Sequence, residues 1–251
     1  MARIQPARGA RPAQLEFADG VAWVTLGGAR IDASAAQALC DAAERIGFDE
    51  SVGVAVIQGS AGAFCLGVEG GGEWETRHDW VAAVGALAVP VVAAIAGDAI
   101  AEGAELAMAC DLRLASVTAR FAFPHLGQGR LPRHGATQRL PRLVGRMRAL
   151  DLLISGRRIG AREAERIGLA SSVVPAAKLD AAVRRIVGEL SAKGPIALRL
   201  AKEAVLKGLD LTLDQGIRLE QDLYVLLQTT ADRAEGVRAF LAKRPPKFRG
   251  A

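Results

Sequence analysis

Two segments of the sequence place small residues, glycines and acidic side chains where an oxyanion could be held: Phe64-Cys65-Leu66-Gly67-Val68-Glu69, and Ala96-Gly97-Asp98-Ala99-Ile100-Ala101-Glu102-Gly103-Ala104-Glu105. Both read as junctions where a strand hands over to a helix. Backbone N–H groups are unpaired at such junctions and can point into a cleft, and the helix starting near Gly103 adds its positive dipole end. Ordinary turn chemistry produces the same pattern, so spacing alone leaves both readings open. Glu105 falls in the first turn of that helix, as a cleft-facing acid/base or as an acidic residue favoured by the dipole. His125, beside Pro124, reads either as a hydrogen-bonded structural histidine or as a general acid/base titrating near neutral pH. His134 is a second such candidate, whereas His78, in the charged stretch Glu73 to Asp79, reads as solvated. The three histidines have no metal-ligand spacing.

The elements that must position these groups alternate. Gln14 to Phe17 and Val21 to Leu26 are β-prone runs joined by Asp19-Gly20, a hairpin signal. Ser34 and Gln37 form a capping-box signature ahead of Leu39, Ala43 and Ile46 at helical spacing. Val54 to Ile57 and Pro90 to Ile95 are apolar runs expected of strands buried on both faces. Helices are expected at Trp80 to Leu87 and Gly103 to Ala109, and a further strand at Leu112 to Ala115. This alternation argues for an α/β fold with parallel pairing. From Gln138 onward the periodicity is helical almost throughout, with Ser171 to Val174 alone strand-like. We read residues 1–195 as the α/β core domain and 196–251 as a helical C-terminal region of the same fold.

The 251-residue chain is 51% apolar, which supports a sizeable core. With seven Phe, three Trp and one Tyr it lacks stacking platforms for nucleic acid, so that class of partner is disfavoured. The net charge of +5 suits an anionic partner, although Arg8, Arg11, Lys243, Arg244, Lys247 and Arg249 place much of it in terminal tails that are expected to be solvated. Cys40, Cys65 and Cys110 have no paired or metal-like spacing and read as small core residues in a reducing, cytoplasmic compartment. The stretch Val81 to Ile100 is interrupted by Gly85, Pro90, Gly97 and Asp98, so no membrane span is expected.

Taken in order, Phe64 to Glu69, Pro90-Val91-Val92-Ala93-Ala94-Ile95-Ala96-Gly97, Glu105-Leu106-Ala107-Met108-Ala109-Cys110-Asp111-Leu112-Arg113 and Gly135-Ala136-Thr137-Gln138-Arg139-Leu140 resemble the signature segments of the enoyl-CoA hydratase (crotonase) superfamily. Ser155 to Ile159, Ala161 to Val174 and Asp232 to Arg244 extend the resemblance across nearly the whole chain from about residue 15. It implies a spiral of ββα units making two roughly perpendicular sheets, followed by a helical trimerisation region, and hence a homotrimer or hexamer.

The resemblance also implies an enoyl-CoA hydratase/isomerase-like enzyme that stabilises the enolate of an acyl thioester. The N–H groups of Val68 and Glu102 would form the oxyanion hole, and Glu105 and His125 would move protons or position water, with His134 as the further candidate. Leu66, Gly67, Arg30, Phe240 and Lys243 would contact the acyl thioester or its coenzyme A, and Gly70 to Trp80 would shape the acyl pocket. No metal or redox cofactor is called for, coenzyme A being part of the substrate; an acyl carrier protein is the alternative carrier. The sequence departs from the family pattern in four places: Ala101 and Glu102 stand where glycine is usual, His125 where a second glutamate is usual, and Gly27 to Ala33 where a longer Asn-rich segment is usual. His125 is similar to the histidine of the branch containing 6-oxocamphor hydrolase, a carbon–carbon bond hydrolase, yet that branch has an Asp where this chain has His134. A non-catalytic acyl-CoA-binding paralogue is the remaining alternative.

Overall fold

The computed structural model describes residues 12–60, 62–70 and 78–250. Arg8, Arg11 and most of the stretches Glu73 to Asp79 and Gly70 to Trp80 lie outside the described residues. The chain opens with an antiparallel hairpin, β1 (Gln14–Ala18) and β2 (Val21–Thr25). Asp19 and Gly20 both take positive φ, 52° and 75°, as the two-residue turn requires. Then follow α1 (Ala33–Phe48), β3 (Val54–Gln58), α2 (Trp80–Gly85), β4 (Val91–Ile95), β5 (Ala99–Ile100), α3 (Glu102–Ala109), β6 (Leu112–Ser116) and β7 (Arg120–Ala122). The remainder is α4 (Ala136–Val144), α5 (Arg146–Ser155), β8 (Ile159–Gly160), α6 (Ala161–Arg166), β9 (Ser172–Val174), α7 (Leu179–Ser191), α8 (Pro195–Gly208), α9 (Leu213–Gln228) and α10 (Ala231–Leu241).

A six-stranded sheet runs β1-β2-β3-β4-β6-β9, parallel from β2 onward, and a small sheet runs β5-β7-β8. The large sheet is covered on both faces because Val54 to Ile57 of β3 and all of β4 are apolar without interruption. Ala55, Ile57, Val91, Ala93 and Ile95 pack into one core with residues of α1, α2, α3 and α4. The alternate residues Val54, Val56, Val92 and Ala94 pack against Leu179, Val183 and Val187 of α7. A side-chain period of two thus sorts one run into two cores.

Two expectations are corrected. The cap of α1 is Asp32, whose carboxylate accepts from the Ala35 N–H at 2.8 Å; Ser34 instead donates its hydroxyl to Asp32. An ionised acceptor with extended backbone one residue before the helix takes the role a hydroxyl inside the first turn cannot. The C-terminal basic tail is not simply solvated: Arg244 makes a bidentate pair with Glu235 at 2.6 and 3.0 Å, and the Arg249 and Gly250 N–H groups donate to Asp232. Two-fork geometry and a buried carboxylate acceptor fold the tail back onto α10.

Neither α8 nor α9 contains a fully buried residue. Lys202 docks α8, with its Nζ 2.7 Å from Asp111 and 2.9 Å from the Val89 carbonyl. The site side of the fold depends on α3 lying directly against residues 64–66. A Cβ added at Gly103 would run into the Cys65 carbonyl, so the helix approaches that segment as only glycine permits. Gly103→Ala is expected to destabilise the protein by about 2 kcal/mol or more through overpacking, read as a lower midpoint in chemical denaturation.

Candidate functional site

The two sequence segments meet at the small sheet. Cys65 bridges to Ala99, the Ile100 N–H donates to the Cys65 carbonyl, and the Ala101 N–H donates to the Ala122 carbonyl of β7. On the other side of the first segment, Leu66 donates to the Ala29 carbonyl, Ile31 to the Gly67 carbonyl and Glu69 to the Ile31 carbonyl. This lacing uses the N–H groups on either side of Val68 and leaves Val68 aimed away from it. Ala101 precedes α3 with φ 52° and ψ −123°, a conformation that an alanine holds only under strain of about 1–3 kcal/mol. The whole of α3 is buried, so the N–H groups of its first turn cannot turn to water for partners.

Glu102 supplies one. Its side chain folds back so that Oε2 accepts from the Val68 N–H at 3.2 Å, while Oε1 lies 3.0 Å from Arg130 and 3.6 Å from His125 Nε2. Burial pushes this carboxyl up, but pairing with His125, its own backbone N–H, the Val68 N–H and the Arg130 charge outweigh it and hold the group down at about 2. Of the two N–H groups expected to form an oxyanion hole, that of Val68 therefore donates to the Glu102 carboxylate.

Glu105 lies one helical turn on and is fully buried. Its Oε1 accepts from the His134 and Ala136 N–H groups, each at 2.9 Å, while Oε2 has no partner and faces His125 Nε2 at 3.5 Å. That distance exceeds a well-made hydrogen bond, and neither His125 ring nitrogen has a hydrogen-bond partner within the protein. Burial pulls His125 down, yet pairing with Glu102 and then Glu105, together with their charges, raises it to about 9. These two carboxylates thus favour the protonated form of the imidazole, the form that can donate a proton.

The His134 side chain points elsewhere, with Nδ1 3.2 Å from Asp79 and its ring 5.3 Å from that of Trp80. It reaches the site through its backbone alone.

A cavity of about 670 Å³ opens above these groups, lined by Arg30, Leu66, Val68, Ile100, Ala101, Glu102, Pro124, Gln128, Arg130 and Arg158. Arg30 is exposed and donates to the Leu66 and Val68 carbonyls. Gly67 takes φ 96° and sits against Glu102 and Ala101. Phe240 and Lys243 are exposed; Phe240 lines a separate groove with Leu227, Val237 and Phe248, so one chain does not bring either to this cavity. Sequence reasoning missed Arg130, Arg158 and the Ala136 N–H. A lone arginine in a loop carries no motif, and a backbone donor has no residue signature. Cys65 and Cys110 are buried with thiols pushed up by burial to about 12, in keeping with core roles. Among the described residues no group of three His, Cys, Asp or Glu side chains could hold a metal ion, and no helix is long and apolar enough to cross a membrane.

Residues 16–251 match the family model described as enoyl-CoA hydratase/isomerase. The chain is 36% identical over 211 residues to 2,3-dehydroadipyl-CoA hydratase of Escherichia coli (strain K12), covering 80% of this chain and 83% of that protein. It is 44% identical over 163 residues to crotonyl-CoA hydratase of Syntrophomonas wolfei, covering 65% and 63%. The solved structure of enoyl-CoA hydratase from Bacillus anthracis superposes with a TM-score of 0.91 at 33% identity, covering 96% of this chain and all of that one.

The charge pattern has a consequence for stability. A histidine raised on folding stabilises fully below its unfolded value of about 6.5, and this contribution is lost as pH rises through about 9. Glu102, lowered on folding, contributes above about 4.5 and loses this only toward about 2. Denaturation midpoints are therefore expected to fall across the alkaline window in the wild type and to be flatter there in His125→Gln.

Proposed function

Because the chain belongs to the enoyl-CoA hydratase/isomerase family, we propose that it adds water across the double bond of an enoyl-CoA thioester, using Glu105 and His125 as base and acid. The observation that carries this reading is the pair Glu105 Oε2 and His125 Nε2, neither with a hydrogen-bond partner within the protein, 3.5 Å apart in a buried site beside the inward-facing Val68 N–H. A buried polar atom without a protein partner is costly, and a substrate water lying beside this pair, in contact with both atoms, would satisfy both.

In the reaction the Val68 and Glu102 N–H groups hold the thioester oxygen and take up the negative charge that develops as the enolate forms. Glu105 Oε2 takes a proton from the water as its oxygen bonds to the β-carbon; Oε1 stays fixed by the His134 and Ala136 N–H groups, which orients the free oxygen. The His125 imidazolium gives its proton to the α-carbon as the enolate collapses. Glu105 is then protonated and His125 neutral, and transfer of that proton between them restores the starting state.

Leu66 and Gly67 flank the thioester, and Arg30, with Arg130 and Arg158 on the same rim, offers guanidinium groups to the phosphates of coenzyme A. A homotrimer or hexamer is supported by the exposed apolar residues Val205 and Leu206 of α8, Leu209 just beyond it, and Leu213, Ile217 and Val225 of α9. In such an assembly Phe240 and Lys243 would serve a neighbouring subunit's site. The unpaired cysteines support a cytoplasmic setting.

Mass-resolved turnover of a panel of enoyl-CoA thioesters tests the reading. The wild type is expected to add one water, with Glu105→Gln and His125→Ala each slower by about 10²–10⁴-fold. Cleavage of a cyclic β-diketone in place of hydration would replace the hydratase by a carbon–carbon hydrolase, and tight thioester binding without turnover would leave a binding protein.

A further inference from the structure

We propose that the Glu102 carboxylate is an internal occupant of the oxyanion hole: an acyl group reaches Glu105 and His125 only by displacing this carboxylate toward Arg130. The inference rests on the hydratase reading above. Three features of the structure carry it. First, Oε2 takes the Val68 N–H at 3.2 Å, so one of the two donors that a thioester oxygen would need is already engaged by this carboxylate. Second, Gly67 makes room for this arrangement, since a Cβ there would lie 2.6 Å from Oε2. Third, the open cavity is lined by Val68 and Glu102 but not by Glu105 or His125. The Glu102 side chain, within 3.6 Å of His125, forms the floor that separates the acid/base pair from the entrance.

A route out is already in place. Oε1 is 3.0 Å from Arg130, whose side chain is 39% exposed and whose other terminal nitrogen meets Gln128 at 2.8 Å on the surface. Rotation of the Glu102 side chain toward the rim keeps this ion pair while releasing Val68. The backbone does not have to follow: the constrained Ala101 peptide and the Ala101–Ala122 hydrogen bond hold the Glu102 N–H where it is. The carboxylate and a developing enolate cannot share the hole, because two negative charges at hydrogen-bond distance repel strongly. Displacement therefore precedes chemistry, and the work of vacating the hole weakens the apparent affinity for a neutral thioester.

The test compares wild type, Glu102→Ala and Glu102→Gln by calorimetric binding of butyryl-CoA, by the enolate absorbance of bound acetoacetyl-CoA, and by turnover of crotonyl-CoA. Glu102→Ala is expected to bind butyryl-CoA at least about tenfold more tightly, since a charge-assisted hydrogen bond no longer has to be broken. It should also show a stronger enolate signal and a lower KM, and Glu102→Gln, isosteric and uncharged, should fall between. Unchanged or weaker butyryl-CoA binding by both variants, with folding intact by circular dichroism, would overturn the displacement while leaving the hydratase standing. A kcat loss in both variants with binding unchanged would overturn it too and make Glu102 a participant in the chemistry. Failure of all three proteins to bind any of the thioesters would overturn the acyl-thioester reading, and the proposal with it.

Discussion

A helix that begins inside a protein must find partners for its first N–H groups without help from water. In this molecule α3 is buried from end to end, and its start is forced against residues 64–66 by the contact that Gly103 allows. The strained Ala101 sets the direction in which the first N–H points, and the small sheet of β5, β7 and β8 anchors that peptide through Ala122. Everything chemical in the site is arranged around this one buried terminus. Glu102, in its first turn, offers its carboxylate to the Val68 N–H across the junction. Glu105, a turn further, is held by N–H groups from the loop entering α4.

Charge in the site is balanced locally. Glu102 and Glu105 flank His125, and Arg130 stands at the rim, so the buried anions and cations neutralise one another over a few ångströms. Burial of Glu102, Glu105 and His125 amplifies each of these interactions. The same proximity raises His125 and lowers Glu102, a polarity in keeping with the proton donor and acceptor proposed above. The substitution of imidazole for the carboxylate usual in the family thus changes the charge of the pair while keeping two proton-transfer groups face to face.

Strong periodic signals made much of the fold legible. The runs at Val54 and Pro90 have no polar interruption, so they could only be strands covered on both sides, and the hairpin at Asp19-Gly20 needs the positive φ that those residues tolerate. The strands of the small sheet, two or three residues each, are too short to carry a period, yet they are what fix Ala101. The cap of α1 was misplaced because Asp32 and Ser34 are both good capping residues and only backbone conformation separates them. Within the site, Glu105 and His125 were legible through resemblance, not spacing. The position of the Glu102 carboxylate was not legible, since it depends on a rotamer packed against Gly67, far away in sequence. His134 was visible as an imidazole, although it is its backbone that touches Glu105.

The order of strands in the large sheet, β1-β2-β3-β4-β6-β9, is also the order in which they leave the ribosome. Each new strand pairs with an edge already made, and none has to be inserted between two that are already joined. The sheet can therefore grow outward one edge at a time during synthesis, with α7, translated after β9, closing its second face. Such vectorial assembly keeps the exposed apolar edge of the nascent chain to a single strand at each stage, the condition under which a parallel sheet of this size is least open to mispairing.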